Sequence, residues 1–240
     1  RLKHENESLR KLSPYAMLDD LVGKSSAIAE VRRAVEKVAQ TDSRVLISGP
    51  PGSGKGAIAR MLHSRSLRKN GRFVVLTCAT LSEDTLEQAL FGIEATKSHP
   101  RRIGVLEEAH GGTLLLDEVA DMDMATQLKM VRVLHNRRFQ RIGGDTVVEV
   151  NSRVLATTTR DLQALIAEGK FREDLFYRLN VVPIHAPPLS DRREDIPLLA
   201  VHLMERSAAA KSRSPRILGA DALTALQGHD WPGNVWELSN

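Results

Sequence analysis

The strongest chemical signal in the sequence is a glycine-rich segment, Gly-Pro-Pro-Gly-Ser-Gly-Lys, which ends at Lys55. It follows a short apolar run and precedes a helical pattern, the setting that a phosphate-binding loop requires. Glycines let the backbone wind around a phosphate with its N–H groups pointing inward, and the helix start adds a favourable dipole. Lys55 supplies a positive charge for the β- and γ-phosphates. The sequence therefore predicts a nucleoside triphosphate site at Gly49, Pro50, Pro51, Gly52, Ser53, Gly54, Lys55, Gly56 and Ala57.

The residue after the lysine departs from the usual pattern of such loops. Ser or Thr commonly stands there and binds Mg²⁺ through its hydroxyl, whereas Gly56 has no side chain. Water can occupy that metal position, so we expect nucleotide binding to survive. We expect the Mg²⁺ ion to be positioned less firmly.

Polar residues follow two further apolar runs. Asp117 and Glu118 come directly after Leu114–Leu116. With a phosphate loop upstream, we expect Asp117 to hold Mg²⁺, directly or through water, and Glu118 to polarise an attacking water. Thr159 follows Val154–Ala156 and is a candidate sensor of the γ-phosphate; taken alone, it is better explained as a helix cap.

Helical and strand patterns alternate along most of the chain. Apolar runs at 45–47, 73–76, 114–116 and 154–156 alternate with helical patterns at 24–40, 55–67, 82–91 and 122–136. Continuous apolar runs separated by helices are typical of a parallel sheet that is buried on both faces. Residues 139–150, with Gly143-Gly144-Asp145 at their centre, predict an inserted β-hairpin.

The chain becomes purely helical after Pro187 and Pro188, with helices predicted at 196–210, at 221–227 and from about 234. The predicted fold is therefore α/β: a nucleotide-binding P-loop domain over 18–188, whose parallel sheet is flanked by helices, and a small all-helical lid over 189–240. Residues 1–17, with three leucines on one helical face, predict a linker helix from an upstream domain. Because the chain begins with Arg1, we expect it to be a piece of a longer protein.

Composition excludes several other classes of protein. Of 240 residues, 42% are hydrophobic and 27% charged, which is the balance of a folded domain. The net charge of +4 favours anionic ligands, and 4% aromatic residues argue against a stacking surface for single-stranded nucleic acid. One cysteine excludes an intrachain disulfide and fits a reducing compartment, and no apolar run approaches the roughly 18 residues of a membrane span. We expect a cytoplasmic protein with no membrane contact.

These motifs, in this order, resemble the AAA+ ATPases and, more narrowly, the central domain of sigma-54 activators of the NtrC type. The resemblance covers residues 18 to 240 and is most marked toward the NtrX-type response regulators. The strings that carry it are Leu90-Phe91-Gly92, Glu107–Leu114, Phe139–Gly144, Gly169–Leu179, Pro187-Pro188-Leu189, Arg193–Ile196 and Trp231–Val235.

The resemblance implies an architecture and additional site residues. It implies a homo-oligomer, dimer or ring, with ATP and Mg²⁺ at the interfaces between protomers. It also implies an upstream receiver domain, a downstream helix-turn-helix DNA-binding domain, a cognate sensor kinase and contact with RNA polymerase. Val22 and Gly23 match the loop that contacts adenine, and Arg172 and Arg178 match the arginine fingers that act on a neighbour's ATP. Without the resemblance, these arginines are better explained by surface ion pairs with Glu173 and Asp174.

Two further positions depart from the family pattern. Residues 93–110 contain no GAFTGA sequence, the loop with which the family engages the sigma factor. Trp236 stands where the family carries an arginine that reaches the nucleotide, and we expect it to pack instead, on the adenine side or inside the lid. The resulting hypothesis is a weakly active ATPase domain in which nucleotide controls oligomerisation, without sigma-54 remodelling. The alternatives are a non-hydrolysing ATP/ADP-binding dimerisation scaffold and a true sigma-54 motor with an atypical loop.

Overall fold

A computed structural model describes residues 21–95, 100–210 and 217–240. The linker helix predicted for residues 1–17 lies outside this range, as do residues 96–99 of the segment that replaces the GAFTGA loop. The described residues form two compact units. The first comprises its residues up to Val35 together with Gly49–Met61 and Ala186–Asn240, and the second comprises Glu36–Ser48 and Leu62–His185.

Strands and helices alternate as the sequence patterns predict. The strands are β1 (Val45–Ser48), β2 (Phe73–Thr77), β3 (Gly92–Ile93), β4 (Arg102–Ile103), β5 (Thr113–Asp117), β6 (Arg138–Gln140), β7 (Val147–Glu149), β8 (Arg153–Thr158) and β9 (Val182–His185). The α-helices are α1 (Ser26–Ala39), α2 (Lys55–Ser64), α3 (Glu83–Phe91), α4 (Val105–Glu108), α5 (Met124–Asn136), α6 (Leu162–Ala167), α7 (Glu173–Leu179), α8 (Ile196–Ala210), α9 (Ala220–Gly228) and α10 (Asn234–Leu238).

The second unit is built on a five-stranded parallel sheet, which confirms the predicted fold class. The strand order is β2-β5-β8-β1-β9, and every residue of β5 and β8 is buried. Burial on both faces explains why these strands read as continuous apolar runs rather than as alternating patterns. Leu114 and Leu116 pack into one core with Phe91, Leu134 and Leu175.

The edge strand β9 is an element that the sequence patterns did not predict. It pairs in parallel with β1 alone, and Leu46 lies opposite Pro183. Proline lacks a backbone N–H and therefore interrupts a strand pattern, but an edge strand needs hydrogen bonds on one side only. The position of Pro183 at the sheet edge is consistent with that rule.

The predicted β-hairpin is confirmed, with β6 and β7 paired antiparallel from Arg138–Glu149 to Gln140–Val147. Beyond the paired strands, the buried guanidinium of Arg141 binds two carboxylates. It donates to Glu107 at 2.9 and 3.0 Å and to Glu94 at 2.9 Å. The backbone of Ile142 also bonds Gly92 and Glu94. The hairpin is therefore tied to the short antiparallel pair formed by β3 and β4.

The first unit contains the predicted helical lid. Its core consists of Leu189, Ile196, Leu199, Leu203 and Val235. Helix α8 has the predicted bounds, and α10 begins at Asn234 as predicted. Across the described part of the chain, no helix combines the length and the apolar character needed to cross a bilayer.

The Arg141 ion pairs provide a test of this packing. Arg141→Gln leaves Glu107 and Glu94 without their shared cation, so we expect a loss of about 2 kcal/mol in the free energy of unfolding, measured with urea. The matched control is Arg101→Gln. Arg101 also pairs with Glu107 but is 51% exposed, so the expected loss is under about 0.5 kcal/mol. Equal losses in the two variants would contradict this account.

Candidate functional site

The phosphate loop adopts backbone conformations that only glycine tolerates well. Gly52 and Gly54 have φ values of 71° and 103°. A Cβ added at Gly52 would lie 2.1 Å from the carbonyl oxygen of Gly233, so no side chain fits there. The two glycines thus meet the steric requirement that the sequence predicts for a phosphate cradle.

Two polar side chains of the loop fit an anionic ligand. The hydroxyl of Ser53 is buried, and no described residue hydrogen-bonds to it. Lys55 is 7% exposed, and its Nζ donates to the carbonyl oxygens of Gly49 at 3.1 Å and Pro50 at 3.3 Å. The ammonium group is therefore held against the loop. Gly56 and buried Ala57 continue the first turn of α2.

Lid residues of the first unit bind three consecutive carbonyl oxygens of the loop. Asn234 Nδ2 donates to Pro51 at 2.9 Å, Val235 N to Gly52 at 3.0 Å and Arg192 Nη2 to Ser53 at 2.7 Å. Arg192 is 2% exposed, and burial lowers the pKa of its guanidinium. Sequence reasoning noted the Trp231–Val235 string but assigned Asn234 and Arg192 no role.

Asn234 is suited to its position at the start of α10. Its φ is 54°, a left-handed conformation that asparagine tolerates better than most residues. While its amide nitrogen binds the loop, its Oδ1 accepts the backbone N–H of Leu189 at 2.7 Å. One side chain therefore joins the loop to two segments of the lid.

Trp236 is the exposed aromatic residue of α10. Its side chain is 57% exposed and does not belong to the lid core. Its Cβ lies 3.0 Å from where a Cβ on Gly52 would stand. The residue is therefore at the phosphate loop, and the expected packing inside the lid is not observed.

The predicted adenine segment is bonded to the lid through Asp195. This fully buried carboxylate accepts the backbone N–H groups of Lys24 at 2.5 Å and Ser25 at 2.9 Å, and the Ser25 hydroxyl at 2.6 Å. Gly23 has a φ of 149°, and a Cβ there would lie 2.5 Å from Asp195 Oδ2. Val22 packs against the lid core. Their contact with adenine stays a prediction, and sequence reasoning missed Asp195.

The second unit brings Asp117, Glu118 and Thr159 together at the carboxyl ends of β5 and β8. Thr157 donates its hydroxyl to Asp117 Oδ1 at 2.6 Å and accepts the backbone N–H of Glu118 at 3.0 Å. Glu118 Oε2 accepts both the N–H and the hydroxyl of Thr159, each at 2.8 Å. Thr157 has no distinctive signal in the sequence, because it is one of three consecutive threonines.

The backbone at Glu118 is strained, and the carboxyl next to it is buried. Glu118 has a φ of 56°, which is uncommon for a residue with a side chain and is frequent at functional sites. Burial raises the pKa of Asp117 to about 6, the Thr157 hydrogen bond opposes that shift, and the charge of Glu118 adds to it. Asp117 is thus an oxygen ligand that a bound cation would hold in its ionised form.

The two predicted arginine fingers lie at opposite ends of α7. Arg172 precedes the helix and forms a two-point ion pair with Asp174, at 2.8 and 3.0 Å. Arg178 lies in the last turn, where its carbonyl oxygen accepts a hydrogen bond from Arg44. The surface ion pair considered in the sequence is therefore present for Arg172. The role of both residues across an interface stays a prediction.

The raised pKa of Asp117 predicts a pH-dependent cost to stability. The folded protein keeps the Asp117 proton up to about pH 6, whereas the unfolded chain releases it near the ordinary value of 3.8. Wild-type stability therefore falls as the pH rises through this window. In metal-free buffer, we expect Asp117→Asn to be more stable than wild type by about 2 kcal/mol near pH 7.5, and by close to zero near pH 4.

The measurement is urea unfolding of both proteins at the two pH values. Asp121→Asn is the matched control, since Asp121 lies in the next turn, is partly exposed and pairs with Arg160. A benefit of Asp117→Asn that is the same at both pH values would rule out the burial effect.

Comparisons with known proteins agree with these features. Residues 21–185 match the family described as "Sigma-54 interaction domain", and residues 190–240 match "AAA+ ATPase lid domain". The nitrogen assimilation regulatory protein NtrX of Azorhizobium caulinodans is 47% identical over 241 residues, which cover 100% of this chain and 52% of that protein. The regulatory protein AtoC of Escherichia coli is 45% identical over 219 residues, covering 90% of this chain and 48% of AtoC.

Solved structures of similar proteins lead to the same family. NtrX from Brucella abortus in complex with ADP is 47% identical, with a TM-score of 0.88, over 100% of this chain and 53% of that one. The same protein in complex with ATP is 46% identical, with a TM-score of 0.87, over 98% and 52%. This chain spans about half the length of these relatives. It belongs to the AAA+ sigma-54 interaction domains of NtrC-type regulators, and the predicted resemblance to the NtrX type is confirmed.

Proposed function

We propose that this chain binds Mg-ATP through the loop Gly49–Ala57 and hydrolyses it, as the central domain of a two-component transcriptional regulator. The observation that carries the proposal is the placement of Glu118 beside Asp117, with one carboxylate oxygen held by two hydrogen bonds from Thr159. A carboxylate in a fixed orientation is what a residue that polarises water requires. The family membership and the phosphate cradle support the same function.

In the proposed reaction, Glu118 accepts a proton from a water molecule while the water oxygen attacks the γ-phosphorus. The bond from the γ-phosphorus to the bridging oxygen breaks, and ADP and phosphate leave. Lys55 would stabilise the charge on the phosphates, and Thr159 would keep Glu118 oriented. Arg172 and Arg178 of a neighbouring protomer would stabilise charge that develops on the γ-phosphate.

Asp117 is the residue that would hold Mg²⁺. The bound ion supplies positive charge that neutralises the phosphates. No group of three His, Cys, Asp or Glu side chains able to form a metal site occurs among the described residues, so the remaining ligands would come from phosphate and water. Gly56 offers no hydroxyl, and we therefore propose that hydrolysis is weak.

We further propose that nucleotide binding and upstream phosphorylation control the assembly of the chain, as a dimer or ring, and through it DNA binding. Full-length protein would add a receiver domain phosphorylated by a sensor kinase and a helix-turn-helix domain. Because residues 93–110 lack the GAFTGA sequence, the proposal excludes remodelling of sigma-54 polymerase. ATP-dependent open-complex formation by the full-length protein would instead support the alternative of a motor with an atypical loop.

A second candidate function is a scaffold that binds ATP or ADP without hydrolysing it. The observation that favours it is the combination of Gly56 with Trp236, whose Cβ lies near Gly52 and whose exposed side chain cannot supply positive charge. Light scattering with and without ATP measures assembly for either candidate function. Only phosphate release distinguishes them.

The decisive assay combines ATP binding with phosphate release. We expect Glu118→Gln to retain ATP affinity within about threefold and to lower the hydrolysis rate at least about 100-fold, since it keeps the shape of the side chain but not its basicity. Asp121→Asn is the control and should leave both unchanged. Binding without any phosphate release from wild type would replace the ATPase with the scaffold.

A mixing experiment tests the arginine fingers. Lys55→Ala protomers lack a functional phosphate loop but carry both arginines, whereas Arg178→Ala protomers keep the phosphate loop and Arg172 but lack Arg178. If Arg178 acts on a neighbour's ATP, each variant alone should hydrolyse ATP at under about one tenth of the wild-type rate. An equimolar mixture should then recover a substantial part of that rate. A mixture no more active than the mean of its components would show that Arg178 does not act across the interface.

A further inference from the structure

A small cavity lies at the amino ends of strands in the second unit, whereas Asp117 and Glu118 lie at the carboxyl ends. Its volume is about 230 Å³, and it is lined by residues that precede β1, β8 and β9, including Ser43, Ser152 and Val181. None of the proposed ATPase residues lines it. The lining belongs wholly to the second unit.

Three arginines line this cavity, Arg44, Arg68 and Arg137. Among the lining residues, Asp42 is the one acid, and Arg68 already binds both of its oxygens, at 2.8 and 2.6 Å. The charges of Arg44 and Arg137 are therefore not balanced by a carboxylate of the lining. Within the described part of the chain, the acceptors of Arg44 are neutral carbonyl oxygens, those of Arg178 at 2.8 Å and Leu134 at 3.1 Å.

A fourth arginine, which does not line the cavity, adds to the positive potential there. Arg153 is 2% exposed, and its guanidinium donates to the backbone carbonyl oxygens of Val38, Ala39 and Ser43. None of these three acceptors is charged, so the bonds do not neutralise the guanidinium. Charge in such a buried position is screened by water much less than charge on the surface.

The pKa shifts of the lining agree with this picture. Burial lowers the pKa of Arg44, and the neighbouring charges of Arg178 and Arg137 lower it further. The hydrogen bond from Arg68 lowers the pKa of Asp42, with contributions from the charges of Arg68, Arg153 and Arg137. Positive groups thus repel one another here and would be stabilised by an added anion.

Apart from Ser43 and Ser152, the rest of the cavity lining is apolar. Leu106, Val133 and Val154 are buried side chains that contribute to it. An inorganic ion would leave this surface uncovered, whereas a ligand that carries both an apolar body and an anionic group would match both parts. The volume lies below the roughly 300 Å³ at which sites for drug-sized ligands begin, which limits the ligand to about the size of a substituted benzene ring.

We propose that this cavity is a binding site for a small organic anion, a carboxylate or phosphate on an apolar body, held by Arg44 and Arg137. Guanidinium groups recognise both kinds of anion through charge-assisted hydrogen bonds. The cavity lining shares no residue with the proposed ATPase, although Arg44 also donates to the backbone carbonyl oxygen of Arg178.

Titration calorimetry of the 240-residue chain with benzoate and benzyl alcohol tests the charge requirement, because these probes share a ring and differ in charge. We expect benzoate to bind at least about ten times more tightly than the alcohol. Inorganic phosphate and phenyl phosphate are compared in the Lys55→Ala protein, so that the phosphate loop does not compete. Phenyl phosphate should bind more tightly than phosphate alone because it also covers the apolar surface.

Arg137→Gln should weaken benzoate about tenfold and leave benzyl alcohol unchanged, while Arg137→Lys should retain most of the affinity. The matched control is Arg132→Gln, which removes the same charge from an exposed residue of α5 that does not line the cavity. Because Arg137 has a φ of 56°, Arg137→Asn serves as a second variant, since asparagine tolerates that conformation. Equal affinity for benzoate and the alcohol, equal effects of Arg137→Gln and Arg132→Gln, or no saturable binding of any probe would overturn the proposal.

Discussion

Strands β5 and β8 lie side by side with every residue buried, and their pairing determines where the acidic groups of the second unit lie. The register sets Leu114 opposite Val154 and Leu116 opposite Ala156, so that Asp117 and Glu118 meet Thr157 and Thr159 at the strand ends. A slip by one residue would turn every side chain to the other face and would take Asp117 and Glu118 away from Thr157 and Thr159. The same burial raises the pKa of Asp117, and the hydrogen bond from the Thr157 hydroxyl opposes that shift.

In the first unit, the conformation of the phosphate loop depends on the lid as well as on its own glycines. The carbonyl oxygens of Pro51, Gly52 and Ser53 are bound by Asn234, Val235 and Arg192. A peptide group whose carbonyl is held by the lid presents its N–H in a fixed direction. A phosphate bound to such N–H groups would therefore change the strength of the hydrogen bonds that the lid donates to the loop. Nucleotide binding would in this way be coupled to the lid. Asp195 extends that network to the segment that carries Val22 and Gly23.

Charge is distributed unevenly between the carboxyl ends and the amino ends of the parallel strands. Carboxylates gather at the carboxyl ends of the strands, where Asp117 and Glu118 lie, while Arg44, Arg137 and Arg153 gather near the amino ends. Two of these guanidinium groups, those of Arg44 and Arg153, satisfy carbonyl oxygens in the last turns of α5 and α1. That interaction is favourable because helix C-termini carry partial negative charge. The net charge of +4 does not reveal this arrangement.

The parallel α/β fold, the hairpin, the helical lid and the family could all be predicted from local patterns, because hydrophobic periodicity and motifs depend on residues close together in the chain. Lys55, Asp117, Glu118 and Thr159 could be named as candidates for the same reason, since each follows a recognisable strand or loop. The folded structure adds Thr157, Arg192 and Asp195 to these candidates, because all three act through contacts between segments that are distant in the chain. The edge strand β9 and the exposed position of Trp236 were also not predictable from the sequence. Burial and strand pairing are set by the packing of the whole chain and leave no local signal.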